Sequence, residues 1–276
     1  METKPIRKIH FLPNVLTALG LTCGLYVIFR LNMTEVGEVT EWLLIKMAGL
    51  LLLAGLFDIL DGAIARALGT TSEFGGLFDS MADAVSFGVA PSVIVMKSLS
   101  FETGTVESFL ITTSALVFSV CGVLRLVRFS SREMKASPDA NFTGLPIPAA
   151  GGALVALNLF LISHDLNTLL SVSKFVRLLT LSSSMLLLGY LMVSRWKFLS
   201  IKRLHFHVKS FQVVFFIVLG AVLLFYGVIH HFAVVSVFLS WSYILVALAL
   251  SVIRLIAGRK SKTLQDFEPD PDDFLT

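Results

Sequence analysis

The sequences FDILDGAIAR at residues 57–66 and GGLFDSMAD at residues 75–83 place four aspartates inside otherwise apolar stretches. Asp58 and Asp61 are spaced i, i+3, and Asp79 and Asp83 are spaced i, i+4, so each pair lies on one face of a helix. A charged side chain inside a bilayer costs about 2.5–3.5 kcal/mol. Four such side chains therefore require a compensating ligand or partner.

The short connection between the two acidic stretches brings them together. Because the connection comprises only residues 67–73, the two helices are expected to be antiparallel neighbours with both acid pairs at one end. Carboxylates without Cys or His select hard divalent cations such as Mg²⁺ or Mn²⁺, and four of them suit a two-metal site for phosphoryl transfer.

Two other interpretations use the same aspartates. Asp–Arg pairs can simply hold helices together, but here four acids face one nearby arginine, Arg66. A divalent-cation transporter could use the four carboxylates as its transport site, but that role leaves Arg66 and the glycine spacing unexplained.

The composition of the whole chain is that of a polytopic membrane protein. Of its 276 residues, 55% are hydrophobic and 15% are charged, whereas soluble domains carry about 25% charged residues. The predicted fold class is all-α integral membrane, a polytopic helix bundle of about eight transmembrane helices. The expected spans are 13–30, 42–66, 74–98, 108–129, 145–163, 174–195, 211–229 and 233–256.

Positive charges fall on one side of this arrangement. Basic residues precede the first span, end the second and fourth, lie between the sixth and seventh, and follow the eighth. By the positive-inside rule, both termini and the acidic ends of spans two and three are therefore cytoplasmic, in a multi-pass protein of the cell membrane. The basic excess favours anionic membrane lipids as partners, and no nucleic acid partner is expected because no basic stretch is interleaved with exposed aromatics.

The acidic stretches together match a known motif, D-x2-D-G-x2-A-R-x8-G-x3-D-x3-D, in identity and spacing over 26 residues. By this motif the chain resembles the CDP-alcohol phosphotransferases. The resemblance implies two divalent cations, Mg²⁺ or Mn²⁺, held by the aspartates, with Asp83 completing one metal shell and acting as the general base. It also implies that the small residues make room for the CDP moiety and that the arginine meets its phosphates. The matching positions are Asp58, Asp61, Gly62, Ala65, Arg66, Gly75, Asp79 and Asp83.

The resemblance also divides the chain. A six-helix CDP-alcohol phosphotransferase core is expected over 13–200, preceded by a basic cytoplasmic N-terminus at 1–12. A two-helix extension at 201–258 and an acidic cytoplasmic tail at 259–276 follow. A homodimer is implied by the resemblance alone.

Three further segments resemble the phosphatidylserine synthase branch of that family: LPNVLT at 12–17, DAVSFGVAP at 83–91 and FTGLPIPAA at 142–150. The segment RLVRFS at 125–130 is similar to that branch's R-x2-R-F-N, with Ser130 in place of Asn. The branch implies CDP-diacylglycerol and L-serine as substrates. Transferases for inositol phosphate or glycerol phosphate, and an archaeal ether-lipid form of the serine enzyme, remain alternatives.

Four residues outside the main motif are candidates for substrate binding. The resemblance places Asn14 and Thr17 near the nucleotide, although Pro13 and Asn14 could simply start a helix. Arg125 and Arg128 suit the serine carboxylate or a lipid phosphate, although they could equally be ordinary positive-inside charges.

Overall fold

The computed structural model describes residues 11–35, 38–70, 72–133, 144–163, 172–194 and 231–257. Regular structure in these ranges is helical throughout. The helices are α1 (Leu12–Asn32), α2 (Glu41–Ala67), α3 (Glu73–Asp83), a π-helical segment (Ala84–Val89), α4 (Ala90–Leu99), α5 (Val106–Glu133), α6 (Ile147–Ile162), α7 (Lys174–Val193) and α8 (Phe232–Ala257).

Six helical stretches in the described part of the chain are long and apolar enough to cross a bilayer. They are α1, α2, the continuous stretch Glu73–Leu99, α5, α7 and α8. The prediction of a polytopic helical membrane protein is therefore confirmed. The predicted span 211–229 lies outside the described residues.

Helix α6 is shorter than the predicted span 145–163. Its 16 residues measure about 24 Å, less than the roughly 30 Å of a bilayer's hydrocarbon core. The helix cannot begin earlier because Gly144 has a φ of +85° and Pro146 has an extended backbone. A Cβ at position 144 would also collide with the carbonyl of Met192, so only glycine fits beside the end of α7.

The core is formed where α6 packs against its neighbours. Ile147, Ala150, Ala153 and Leu154 of α6 are fully buried, and α6 contacts α2, α4, α7 and α8. A second apolar cluster joins α1, α2 and α4 through residues such as Val27 and Leu44. The large apolar side chains that remain exposed, such as Leu52 and Phe109, suit a lipid-facing surface.

The π-helical segment in the third span ends next to a proline, Pro91. Pro91 lacks an N–H, so the Phe87 carbonyl has no α-helical partner four residues later. The Ala90 N–H instead bonds to the carbonyl of Val85, five residues earlier. Ser119 of α5 donates to the Gly88 carbonyl at 2.9 Å. A neighbouring helix thus satisfies a carbonyl at the irregular turn, as non-ideal backbone inside a membrane requires.

Candidate metal centre

Three of the four predicted carboxylates meet at one point. Ligand oxygens of Asp58, Asp61 and Asp79 all lie within 4.8 Å of one another. Asp61 is buried, whereas Asp58 and Asp79 are half-buried. Two oxygens on opposite sides of one Mg²⁺ are about 4.2 Å apart, so this spacing fits ligands of one hard cation or of two adjacent ones after a small adjustment.

Asp83 lies one turn beyond Asp79 and faces the same pocket. The pocket is small and is lined by all four aspartates. The charge of Asp83 interacts with those of Asp58, Asp79 and Asp61. Four carboxylates around one small pocket repel one another strongly, and divalent cations are the ligands that relieve this repulsion.

Helix α1 links the two acid pairs. The predicted antiparallel neighbours α2 and α3 contact each other at few positions, because α1 packs against both. The Thr17 hydroxyl of α1 donates a hydrogen bond to the Asp61 carboxylate and lies 3.1 Å from the Pro13 carbonyl. Thr17 was predicted to lie near the nucleotide, and in the structure it contacts a predicted metal ligand and so fixes its orientation.

The remaining motif residues are not part of the pocket lining. Asn14 Oδ1 lies 3.4 Å from the position that a Cβ on Gly75 would occupy, so α1 and α3 approach closely there. A Cβ on Gly62 would meet open space. Ala65 is half-buried, and Arg66 is exposed in the last turn of α2. Arg66 points away from the buried core and does not line the pocket.

The two arginines of α5 have different surroundings. Arg125 is half-buried, and its guanidinium interacts with the charge of Asp83. Arg128 donates from Nη1 to the Val193 carbonyl at the end of α7, at 3.1 Å. The structure therefore engages Arg128 with a helix end, whereas Arg125 does not line the acidic pocket.

Sequence reasoning missed two residues of this region: Gly24 and Ser86. Ser86 lines the pocket and donates to the Gly20 carbonyl at 3.3 Å. A Cβ on Gly24 would lie 2.8 Å from the Ser86 Cα, so α1 can approach the π-helical segment only with glycine there. The i, i+4 spacing of Gly20 and Gly24 is a small-residue packing pattern that could have revealed this contact.

The fold and this site define a polytopic helical membrane protein with an intramembrane cluster of carboxylates suited to divalent cations. The sequence profile of the CDP-alcohol phosphatidyltransferase family matches residues 10–193, and the chain belongs to that family.

Relatives with described activities agree in their names. A Methanocaldococcus jannaschii protein is 34% identical over 193 residues, covering 70% of this chain and 76% of the relative. A Helicobacter pylori protein is 34% identical over 210 residues, covering 76% and 81%, respectively. A Bacillus subtilis protein is 33% identical over 195 residues, covering 70% and 93%. Each of these relatives is named CDP-diacylglycerol–serine O-phosphatidyltransferase.

Proposed function

We propose that this protein transfers a phosphatidyl group from CDP-diacylglycerol to the hydroxyl of L-serine, giving phosphatidylserine and CMP. The observation that carries this proposal is the complete family motif with its four carboxylates around one pocket. The names of the three relatives support serine as the acceptor.

Asp58, Asp61 and Asp79 are the proposed metal ligands, and Asp83 completes the set for two divalent cations, Mg²⁺ or Mn²⁺. When bound, such ions neutralise the pyrophosphate and the departing CMP phosphate. The ligand set supports this choice, because carboxylate oxygens prefer hard divalent cations to Zn²⁺ or Cu²⁺.

The side chains of the protein carry the remaining steps. The serine hydroxyl oxygen forms a bond to the phosphatidyl phosphorus, and the bond from that phosphorus to the CMP oxygen breaks. Asp83 accepts the hydroxyl proton as the general base. A guanidinium such as that of Arg125, beside Asp83, suits the serine carboxylate.

The other motif residues are proposed to bind the nucleotide and to orient the ligands. Gly62, Ala65 and Gly75 leave space for the CDP moiety, and Arg66 reaches its phosphates. Asn14 belongs to the same subsite through its position beside Gly75. Thr17 orients Asp61 through its hydrogen bond.

The proposal also covers the orientation in the membrane, the division of the chain and the oligomeric state. The active site and both termini face the cytoplasm, since the basic connections lie on that side. The catalytic core spans 13–200, and residues 201–258 and 259–276 form an extension and a tail. The working assembly is a homodimer.

The experiment that tests this function measures CMP release by the purified protein with CDP-diacylglycerol and Mn²⁺. Serine, inositol phosphate and glycerol phosphate are supplied in separate reactions. Release with serine alone is expected. If CMP is released with a phosphorylated acceptor and not with serine, the proposed reaction type stands but serine is the wrong acceptor. Metal flux into vesicles without any CMP release would favour a cation transporter.

Asp83→Asn tests the general base within the same assay. The amide cannot accept the serine proton, so turnover is expected to fall by about 100-fold or more, the usual contribution of a general base. Equilibrium binding of a CDP-lipid, measured by its displacement of a fluorescent analogue, should change little. Near-normal turnover in this variant would contradict the assignment of Asp83.

A further inference from the structure

The π-helical segment Ala84–Val89 joins the carboxylates of α3 to the buried part of the third span. It begins immediately after Asp83, the last residue of α3. Its Ser86 lines the pocket together with Asp79 and Asp83. At its other end it continues into α4, whose Ile94 is fully buried in the apolar cluster of α1, α2 and α4.

The π-helical segment sets the angle between these two parts of the span. An α-helix makes three turns in about 11 residues, so Asp83 and Ile94 would share one face of an uninterrupted α-helix. A π-helical turn contains about one residue more than an α-helical turn, and one residue corresponds to a rotation of about 100°. Without the π-helical segment, the carboxylates of α3 would turn away from the pocket for as long as Ile94 stayed in the core.

Neighbouring helices hold the π-helical segment in place. Ser119 of α5 donates a hydrogen bond to the Gly88 carbonyl at 2.9 Å. Helix α6 approaches closely, since a Cβ on Gly151 would lie 2.7 Å from the Phe87 carbonyl oxygen, and α1 contacts the same segment at Gly24. The glycines make room for these close approaches, and Ser119 adds a directional bond to the backbone.

We infer that Ser119 is a positioning residue for the carboxylates of α3. Its bond to Gly88 preserves the π-helical segment, and this segment keeps Asp79 and Asp83 facing the pocket. π-Helical turns inside α-helices are frequent at functional sites, where they orient side chains. The inference rests on the proposed function, in which Asp79 is a metal ligand and Asp83 is the general base.

Ser119→Ala tests the inference, because it removes the hydroxyl and no other polar group. The dissociation constant for Mn²⁺, measured on the purified protein by electron paramagnetic resonance of the free ion, should rise about three- to ten-fold, the effect of losing one hydrogen bond. The number of Mn²⁺ sites per chain should not change. A loss of folded protein alone would do the opposite, lowering the number of sites at an unchanged dissociation constant.

Two matched variants of α5 are the controls. Ser114→Ala also removes a buried hydroxyl, but Ser114 donates within its own helix to the Leu110 carbonyl at 2.9 Å, so the dissociation constant for Mn²⁺ should not change. Ser119→Thr keeps the hydroxyl and should bind Mn²⁺ about as tightly as the wild-type protein. If Ser119→Ala does not fold, Ser119→Cys replaces it, since a thiol of similar size is only a weak donor.

Two results would overturn the inference: an unchanged dissociation constant in the folded Ser119 variant, or an equal rise in Ser114→Ala. Failure of the proposed function looks different, because the wild-type protein itself would then bind no Mn²⁺ or release no CMP with serine. Absence of Mn²⁺ binding by the wild-type protein would overturn the metal site and this inference together.

Discussion

The two halves of the third span differ in packing although they form one continuous helical stretch. In α3, Ala82 is the one buried residue of eleven, and Phe74, Leu77 and Met81 are largely exposed. In α4, six of ten residues are buried, including Ile94 and Val95. Asp79 and Asp83 lie on the loosely packed half, which leaves room for ligands. The tightly packed half holds α3 in place.

This difference predicts that changes in the two halves have different consequences. Substitution of an aspartate in α3 removes a proposed metal ligand or the proposed general base, and it breaks few packing contacts. Substitution at the close contacts around the π-helical segment disturbs the fold first. The following variants test this separation.

Asp79→Asn should have the largest effect on activity. Loss of an outer-shell partner of a metal ligand already costs about 10- to 100-fold, so loss of a ligand itself should lower CMP release by more than about 100-fold. The melting temperature without metal should stay equal or rise, because one of four mutually repelling charges is gone. A large fall in the melting temperature would show that the acidic half also supports the fold.

Thr17→Val should have the next largest effect. It keeps the shape of the side chain and removes the hydrogen bond to Asp61. The Mn²⁺ concentration needed for half-maximal CMP release should rise by about 10- to 100-fold. Thr17→Ser, which restores the hydroxyl, should return it toward the wild-type value. An unchanged Mn²⁺ requirement in Thr17→Val would mean that this hydrogen bond does not orient the ligand.

Gly24→Ala tests the close packing of α1 against the π-helical segment. The new methyl group would lie 2.8 Å from the Ser86 Cα, so the helices must separate at a cost of about 1–3 kcal/mol. The matched control is Gly49→Ala, where nothing lies within 4 Å and alanine favours the helix by about 0.5–1 kcal/mol. Thermal melting in detergent should show a loss for the first and no loss for the second. Equal melting temperatures would contradict the close approach of α1 to the π-helical segment.

Much of this architecture could be predicted from the sequence because its signals are local. Apolar runs predicted the described spans, and the spacing of Asp58, Asp61 and Asp79 predicted that their carboxylates would meet. The length of α6 was predicted less well, because the strict requirement for glycine at position 144 comes from the carbonyl of Met192 on another helix.

Contacts between distant helices could not be predicted in this way. The hydrogen bond from Thr17 to Asp61 joins residues 44 positions apart. The π-helical segment lies between these cases: Pro91 signals a missing N–H, but the Ser119 hydroxyl that bonds the Gly88 carbonyl comes from α5.

The central claim is that Asp58, Asp61, Asp79 and Asp83 form a divalent-cation site, and titration of the purified protein with Mn²⁺ tests it most directly. Free Mn²⁺ is followed by electron paramagnetic resonance in the absence of substrate. The account predicts binding by the wild-type protein and its loss in the folded double variant Asp58→Asn/Asp79→Asn. Equal binding by both proteins would contradict the account.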